Sequence, residues 1–163
     1  FPEHICIIRI PDAAQSFYHS AYLRFSNKNP FDFLIWSPKT LTLYALELKT
    51  VKGKSISFER TKEERGEIHY HQITGLEKFY NIGECVCGFV IEFRQLETTI
   101  FLPINEFIRL SNTVTKKSFN YDDLVNNNIG FVTIPQTIKR THYRYDVESF
   151  LNETALHSSM EVN

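Results

Sequence analysis

Between residues 31 and 93 the apolar pattern changes its period twice, and this order constrains the fold more than any other feature of the chain. Residues 31–36 and 41–48 are apolar and aromatic runs on either side of Ser37-Pro38-Lys39-Thr40, a turn composition, so together they predict a hairpin. Beyond Gly66 the apolar spacing becomes three and four residues, through Ile68, Gln72, Ile73, Leu76, Phe79 and Tyr80, until Gly83 stops it; this is the pattern of an amphipathic helix. Residues 85–93 return to a buried-strand pattern, and residues 99–102 predict a short partner across the polar turn 94–97. The predicted class is α/β, a mixed β-sheet flanked by helices.

The flanks extend this unit. Residues 5–10 are β-branched and end at Pro11, a first strand; a further strand is expected at 20–25 within the polar stretch 12–28. Short helices are expected at 105–110 and 121–126, a terminal hairpin at 130–134 with 137–145, and frayed chain over the last dozen residues. With 163 residues, 42% of them apolar and 14% aromatic, the chain is long enough for one well-filled domain. The expected division is a core over residues 1–110 and a C-terminal extension over 111–163 packed on the same domain. No stretch approaches the roughly 20 apolar residues of a membrane helix, so a soluble protein that makes no membrane contact is expected. The chain opens at Phe1 with no charged leader and apolar run behind it, which predicts a mature or trimmed piece without a secretory signal. Cys6, Cys85 and Cys87 are an odd set, and Cys85 and Cys87 fall on one side of a strand; buried thiols in a reducing cytoplasm are expected rather than a zinc site.

The formal net charge of −1 places the weight on how charge is distributed. Lys49, Lys52, Lys54, Arg60, Lys62 and Arg65 crowd one segment, offset by Glu59, Glu63 and Glu64. Lys139, Arg140, His142 and Arg144 form a second cluster, interleaved with Tyr143 and Tyr145; on a single strand, Arg140, His142 and Arg144 would share one face. Each cluster reads either as a phosphate-tracking surface or as a solvated face.

The predicted hairpin also concentrates acidic and basic groups. Pairing Ser37 with Thr40, or closing a four-residue turn with Trp36 opposite Leu41, puts Asp32 opposite Ala45 and one diagonal step from Glu47. Because strand side chains alternate, Lys49 shares the face of Glu47 while Leu46 and Leu48 point to the other layer. A register shifted by one residue would separate Asp32 from them. Hard divalent ions such as Mg²⁺ take one or two carboxylates with carbonyl and water oxygens, so Asp32, Glu47 and the backbone carbonyl of Leu48 are the candidate ligands. Such an ion polarises a phosphate and acidifies water, and a nearby lysine stabilises the developing charge. On the helix, Gln72 replaces an apolar residue in the inward stripe, where its amide needs a partner. His69 and His71, two apart at the helix start, are further candidates for phosphate contact.

These residues resemble a known pattern. Asn29-Pro30-Phe31-Asp32 followed by Leu46-Glu47-Leu48-Lys49 resembles the PD-(D/E)XK motif of nucleases with the restriction-endonuclease-like fold. The run from Lys49-Thr50 through Ser57-Phe58 to Ile68-His69-Tyr70-His71-Gln72-Ile73, Leu76, Phe79 and Gly83 is similar to the RecU-type Holliday-junction resolvases. The similarity covers roughly residues 5–110. It implies an active site of Asp32, Glu47, Lys49 and Gln72, an Mg²⁺ or Mn²⁺ cofactor, DNA as partner and a homodimer as the working unit. The chain departs from that family between its first strand and the acidic one, where residues 11–28 carry only Arg24 and Lys28 as basic residues, and at Pro30, where a Thr is expected. The expected activity is metal-dependent hydrolysis of DNA, branched DNA above all. The alternatives are a restriction-type or nicking enzyme, or a catalytically inactive DNA-binding or protein-interaction module.

Overall fold

The computed structural model describes residues 4–11, 29–83, 85–140 and 142–160. A six-stranded sheet forms its centre. The edge strand β1 (Cys6–Arg9) pairs antiparallel with β2 (Phe33–Ser37), and β2 with β3 (Thr42–Val51). A short strand β4 (Ile56–Ser57) and the helix α1 (Tyr70–Ile82) lead to β5 (Cys85–Phe93), which lies parallel to β3. A single 3-10 turn over Arg94–Leu96 reverses the chain into β6 (Thr98–Pro103), antiparallel to β5. The expected α/β architecture, a mixed sheet with helices packed on it, is what the chain forms. The expected strand at residues 20–25 lies outside the described residues.

The β2–β3 hairpin has a different register from the one its turn composition suggests. Ser37 pairs with Thr42, leaving residues 38–41 as the turn, with Leu41 in the left-handed region at φ 52°. Phe33 therefore faces Leu46, and Asp32, one residue before the strand, falls in line with Glu47 rather than Ala45. The shift is by two residues, so every side chain keeps its face.

Helix α1 begins two residues later than its apolar stripe and ends at Gly83, whose φ of 95° an L side chain rarely adopts. It lies on the first face of the sheet, with Leu76 buried and Gly75 against Pro30. A Cβ on Gly75 would stand 2.3 Å from Pro30 Cβ, so the helix holds the segment that delivers Asp32 at a distance only glycine allows. The same face buries Phe89, Ile91 and Phe93 of β5 with Phe107 and Leu110 of α2 (Ile104–Thr113). The two-residue strand β7 (Ser118–Phe119) pairs with β4, and the helix α3 (Tyr121–Asn126), where one was expected, buries Leu124 in the same core.

The remaining chain corrects two expectations. Residues 130–134 do not pair with the following strand: β8 (Val132–Thr133) joins the central sheet beside β6. The hairpin is instead β9 (Gln136–Lys139) with β10 (His142–Tyr145), and Arg140 at φ 53° stands at the reversal. Of the last dozen residues, expected to fray, 152–160 belong to α4 (Val147–Met160), which lies on the second face of the sheet, and the rest lie outside the described residues. Phe150 and Leu151 bury there against Tyr44 and Leu46, and the Tyr44 hydroxyl donates to the Leu151 carbonyl at 2.9 Å. Among the described residues no helix is long and apolar enough to cross a membrane.

Gly75→Ala is expected to destabilise the fold by about 1–3 kcal/mol despite its better helix propensity, because the added methyl overpacks against the Pro30 ring. Gly53→Ala, where nothing lies within 4 Å, serves as the control, and urea denaturation of both variants checks the difference.

Candidate active site

β2 begins where β3 still has five residues to run, so the Asp32 end of the hairpin opens onto an overhang of β3 held on its other side by β5. The Asp32 backbone partly leaves the ladder: its N–H donates to the Leu46 carbonyl at 3.0 Å, and its own carbonyl accepts from Ile10 at 2.8 Å. Its side chain supplies the missing acceptor. Oδ2 takes the N–H of Leu48 at 2.9 Å, which fixes the carboxylate beside Glu47.

Glu47 is only 4% exposed. Its Oε1 accepts from Gln72 Nε2 and lies 3.0 Å from Lys49 Nζ, while the Asp32 carboxyl comes within hydrogen-bonding reach. Burial pushes the Glu47 carboxyl up to about 7; the Lys49 ammonium opposes the shift, and Asp32 adds to it. Lys49 is itself largely enclosed, its side chain 14% exposed. The partner that the Gln72 amide needs is Glu47 itself. The amide's Oε1 accepts from the N–H of His69 at 2.9 Å, and that bond sets which way round the amide lies.

The structure thus brings Asp32, Glu47, Lys49 and Gln72 together. Leu48 contributes its N–H to Asp32, and its side chain points to the second face, half-exposed. Among the described residues no cluster of three or more His, Cys, Asp or Glu forms a metal site. The donor set is two adjacent carboxylates, one of them held near neutrality by burial beside the other. That suits an oxygen-seeking ion that keeps several waters, such as Mg²⁺ or Mn²⁺, and not tetrahedral zinc. The thiols of Cys85 and Cys87 sit 3.4 Å apart near the other end of β3.

The basic residues divide by what they touch. Lys52 and Lys54 are exposed on the loop that continues from the site strand, and Lys62 and Arg65 are exposed on the loop leading to α1. Arg60 does not belong with them. Its guanidinium donates to the carbonyls of Ser111, Val114, Thr115 and Lys116 and lies 5.3 Å over the Phe58 ring, so its donors are taken up within the protein. Lys139 and Arg144 are exposed on the β9–β10 hairpin, with Arg140 at its reversal rather than within one continuous strand. Tyr145 at the base of this hairpin joins Leu48 and Thr50 in lining a cavity of about 200 Å³ on the second face.

One group that sequence reasoning passed over is Glu59, which looked like a surface countercharge among lysines. It is buried, and it accepts from the N–H of Tyr70 and from the His69 ring, each at 2.8 Å. The one signal for it was its place directly after the apolar Ile56 and Phe58. The rings of His69 and His71 stack with centroids 5.5 Å apart.

An α/β unit with a mixed sheet and a carboxylate pair beside a lysine at one strand end is the class that fold and site define. No protein-family model matches the sequence, and no curated protein matches it. Among solved structures, the chain is similar to Hjc of Archaeoglobus fulgidus, a Holliday junction resolvase from an archaeal hyperthermophile, with 14% identity and a TM-score of 0.45 over 74% of this chain and 78% of that one.

The raised Glu47 carboxyl has a consequence for stability. The folded state binds its proton more tightly than the unfolded chain, so the protonated form favours folding below about pH 4.5, and this contribution is lost as pH rises through about 7. The full shift corresponds to about 3 kcal/mol. Glu47→Gln, which cannot ionise, is expected to be more stable than the parent at pH 8 without divalent ions, with the gap closing toward pH 5. Urea denaturation at the two pH values checks it; an equal gap at both would contradict the raised carboxyl.

Proposed function

We propose that this chain is a divalent-metal-dependent endonuclease that hydrolyses DNA phosphodiester bonds. The observation that carries the reading is the meeting of Asp32 and Glu47 around a buried position, with Lys49 and Gln72 both bonded to Glu47. Isolated structural ion pairs do not require a second carboxylate pressed against the first. An ion shared by the two carboxylates does, because its charge offsets their repulsion and the cost of burying Glu47.

The chain's own residues then have distinct tasks. Asp32 and Glu47 would hold the ion, Asp32 aimed by the Leu48 N–H and Glu47 by the Gln72 amide. When bound, the ion supplies positive charge against the phosphate and a more acidic water. Lys49, fixed at 3.0 Å from Glu47, is placed to meet negative charge as it builds on the phosphate. Lys52 and Lys54, on the loop that follows the same strand, can contact the backbone on either side of the cut. Lys62, Arg65 and the β9–β10 hairpin would extend that contact.

The preferred substrate under this reading is branched DNA, supported by the sequence context of His71-Gln72-Ile73 on the site helix. A four-way junction is cut in two strands symmetrically, so a two-fold homodimer is the proposed unit. A restriction-type or nicking enzyme differs in cutting linear duplex as fast as a junction.

Asp32→Ala and Glu47→Ala are each expected to abolish cleavage in Mg²⁺ or Mn²⁺ while DNA binding persists. Lys49→Ala is expected to slow cleavage by on the order of 10². Rates on junction, flap and linear DNA, measured beside filter binding, test the set. Undiminished cutting by either carboxylate variant removes the site assignment, and DNA binding with a steep salt dependence but no cutting by the parent leaves only a binding module.

A further inference from the structure

Two carboxylates are buried among the described residues, Glu47 and Glu59, and only the first has a task in the scheme above. Glu59 follows β4, and its backbone N–H donates to the Ile68 carbonyl at 2.9 Å. Its Oε2 accepts from the Tyr70 N–H at 2.8 Å; its Oε1 accepts from the Gly66 N–H at 3.2 Å and lies 2.8 Å from His69 Nδ1. Although burial works against the charged form, the His69 ring and these two N–H groups outweigh it and hold the carboxyl below its ordinary range. An ionised carboxylate only accepts, so Nδ1 carries a proton in that contact. His69 is the residue immediately before α1, and its own N–H donates to Gln72 Oε1. Gln72 in turn donates to Glu47. The two buried carboxylates are therefore the ends of one chain of contacts running Glu59, His69, Gln72, Glu47.

The direction of that chain matters. A primary amide can lie either way round; reversed, Gln72 would turn an oxygen toward the Glu47 carboxylate and an NH₂ toward the His69 N–H, acceptor against acceptor and donor against donor. The His69 N–H prevents this. It is itself held from both sides by Glu59, through the imidazole of the same residue and through the N–H of the next. Three donors converge on Glu59, and a carboxylate has enough lone pairs for all of them.

We infer that Glu59 is a positioning residue for Glu47: by fixing His69 and the first turn of α1, it makes Gln72 present an N–H to the carboxylate that would hold the ion. The catalytic consequence rests on the nuclease reading; the geometry does not.

The test uses the full chain with Glu59→Ala, and with the nearly isosteric Glu59→Gln should the first variant fail to fold. Three measurements are made: the Mn²⁺ affinity by calorimetry, the steady-state kinetics on DNA for kcat and KM, and the NMR signals of the Gln72 side-chain amide, assigned with Gln72→Ala. Glu59→Ala is expected to weaken Mn²⁺ binding by on the order of tenfold, as loss of a group behind a metal ligand does, and Glu59→Gln by less. In both, kcat should fall with KM unchanged, and the Gln72 amide signals should move toward those of a free glutamine. In a Gln72→Ala background, Glu59→Ala should add no further loss, because both act through one contact. Unmoved Gln72 signals in a folded Glu59→Gln protein overturn the inference, as does an undiminished further loss in the Gln72→Ala background. A parent that binds no Mn²⁺ and cuts no DNA ends the nuclease reading alone; the Gln72 signals then decide the positioning role by themselves.

Discussion

A carboxyl group that is 4% exposed, with a second carboxyl beside it, is the constraint around which the rest of this structure is arranged. Burial of Glu47 is tolerated because an ammonium and an amide donate to it, and both donors come from elements placed for other reasons. Lys49 follows two residues on along the same strand, so the pleat brings it to the same face without further provision. Gln72 arrives on a helix whose apolar neighbours, Leu76 above all, seat it against the sheet. Asp32 completes the arrangement by bonding the Leu48 N–H with its side chain where its backbone drops out of regular pairing. The strand thereby ends at the point where its acidic residue is needed.

The convergence of these residues was legible in the sequence because it depends on parity and not on exact pairing. The turn composition suggested a register two residues away from the observed one, yet a two-residue slip leaves Asp32, Glu47 and Lys49 on one face. The helix was equally plain, since its stripe is interrupted only by Gln72. What stayed hidden depends on long-range contacts. The pairing of β4 with β7 joins two-residue strands far apart in the chain and leaves no periodic trace. Glu59 sits among lysines and glutamates in sequence and becomes buried only because residues 66–70 fold back over it. The reversal at Arg140 carries no glycine to mark its positive φ, so the run from residue 137 to 145 looked like one strand. α4 looked frayed because its C-terminal half is polar; Phe150 and Leu151 near its start are what hold it.

Charge clustering in sequence likewise did not distinguish arginine from lysine. Arg60 gives its planar donor array to four carbonyls, one in the last turn of α2 and three just past it, which ties the loop before α1 to the loop before β7. A lysine has no such fork and would leave most of those carbonyls to water. Lys62 and Arg65 therefore project from a loop anchored at Arg60 rather than from a loose arm.

The bond from the Tyr44 hydroxyl to the Leu151 carbonyl links two parts of the molecule that are remote in sequence. Tyr44 lies on the strand that also carries Glu47 and Lys49, three and five positions further along. Helix α4 thus serves as a buttress behind this strand, bearing on the face opposite to the one that carries Glu47 and Lys49. Any shortening that removed it would be felt first as a loss of stiffness in the strand that presents Glu47 and Lys49.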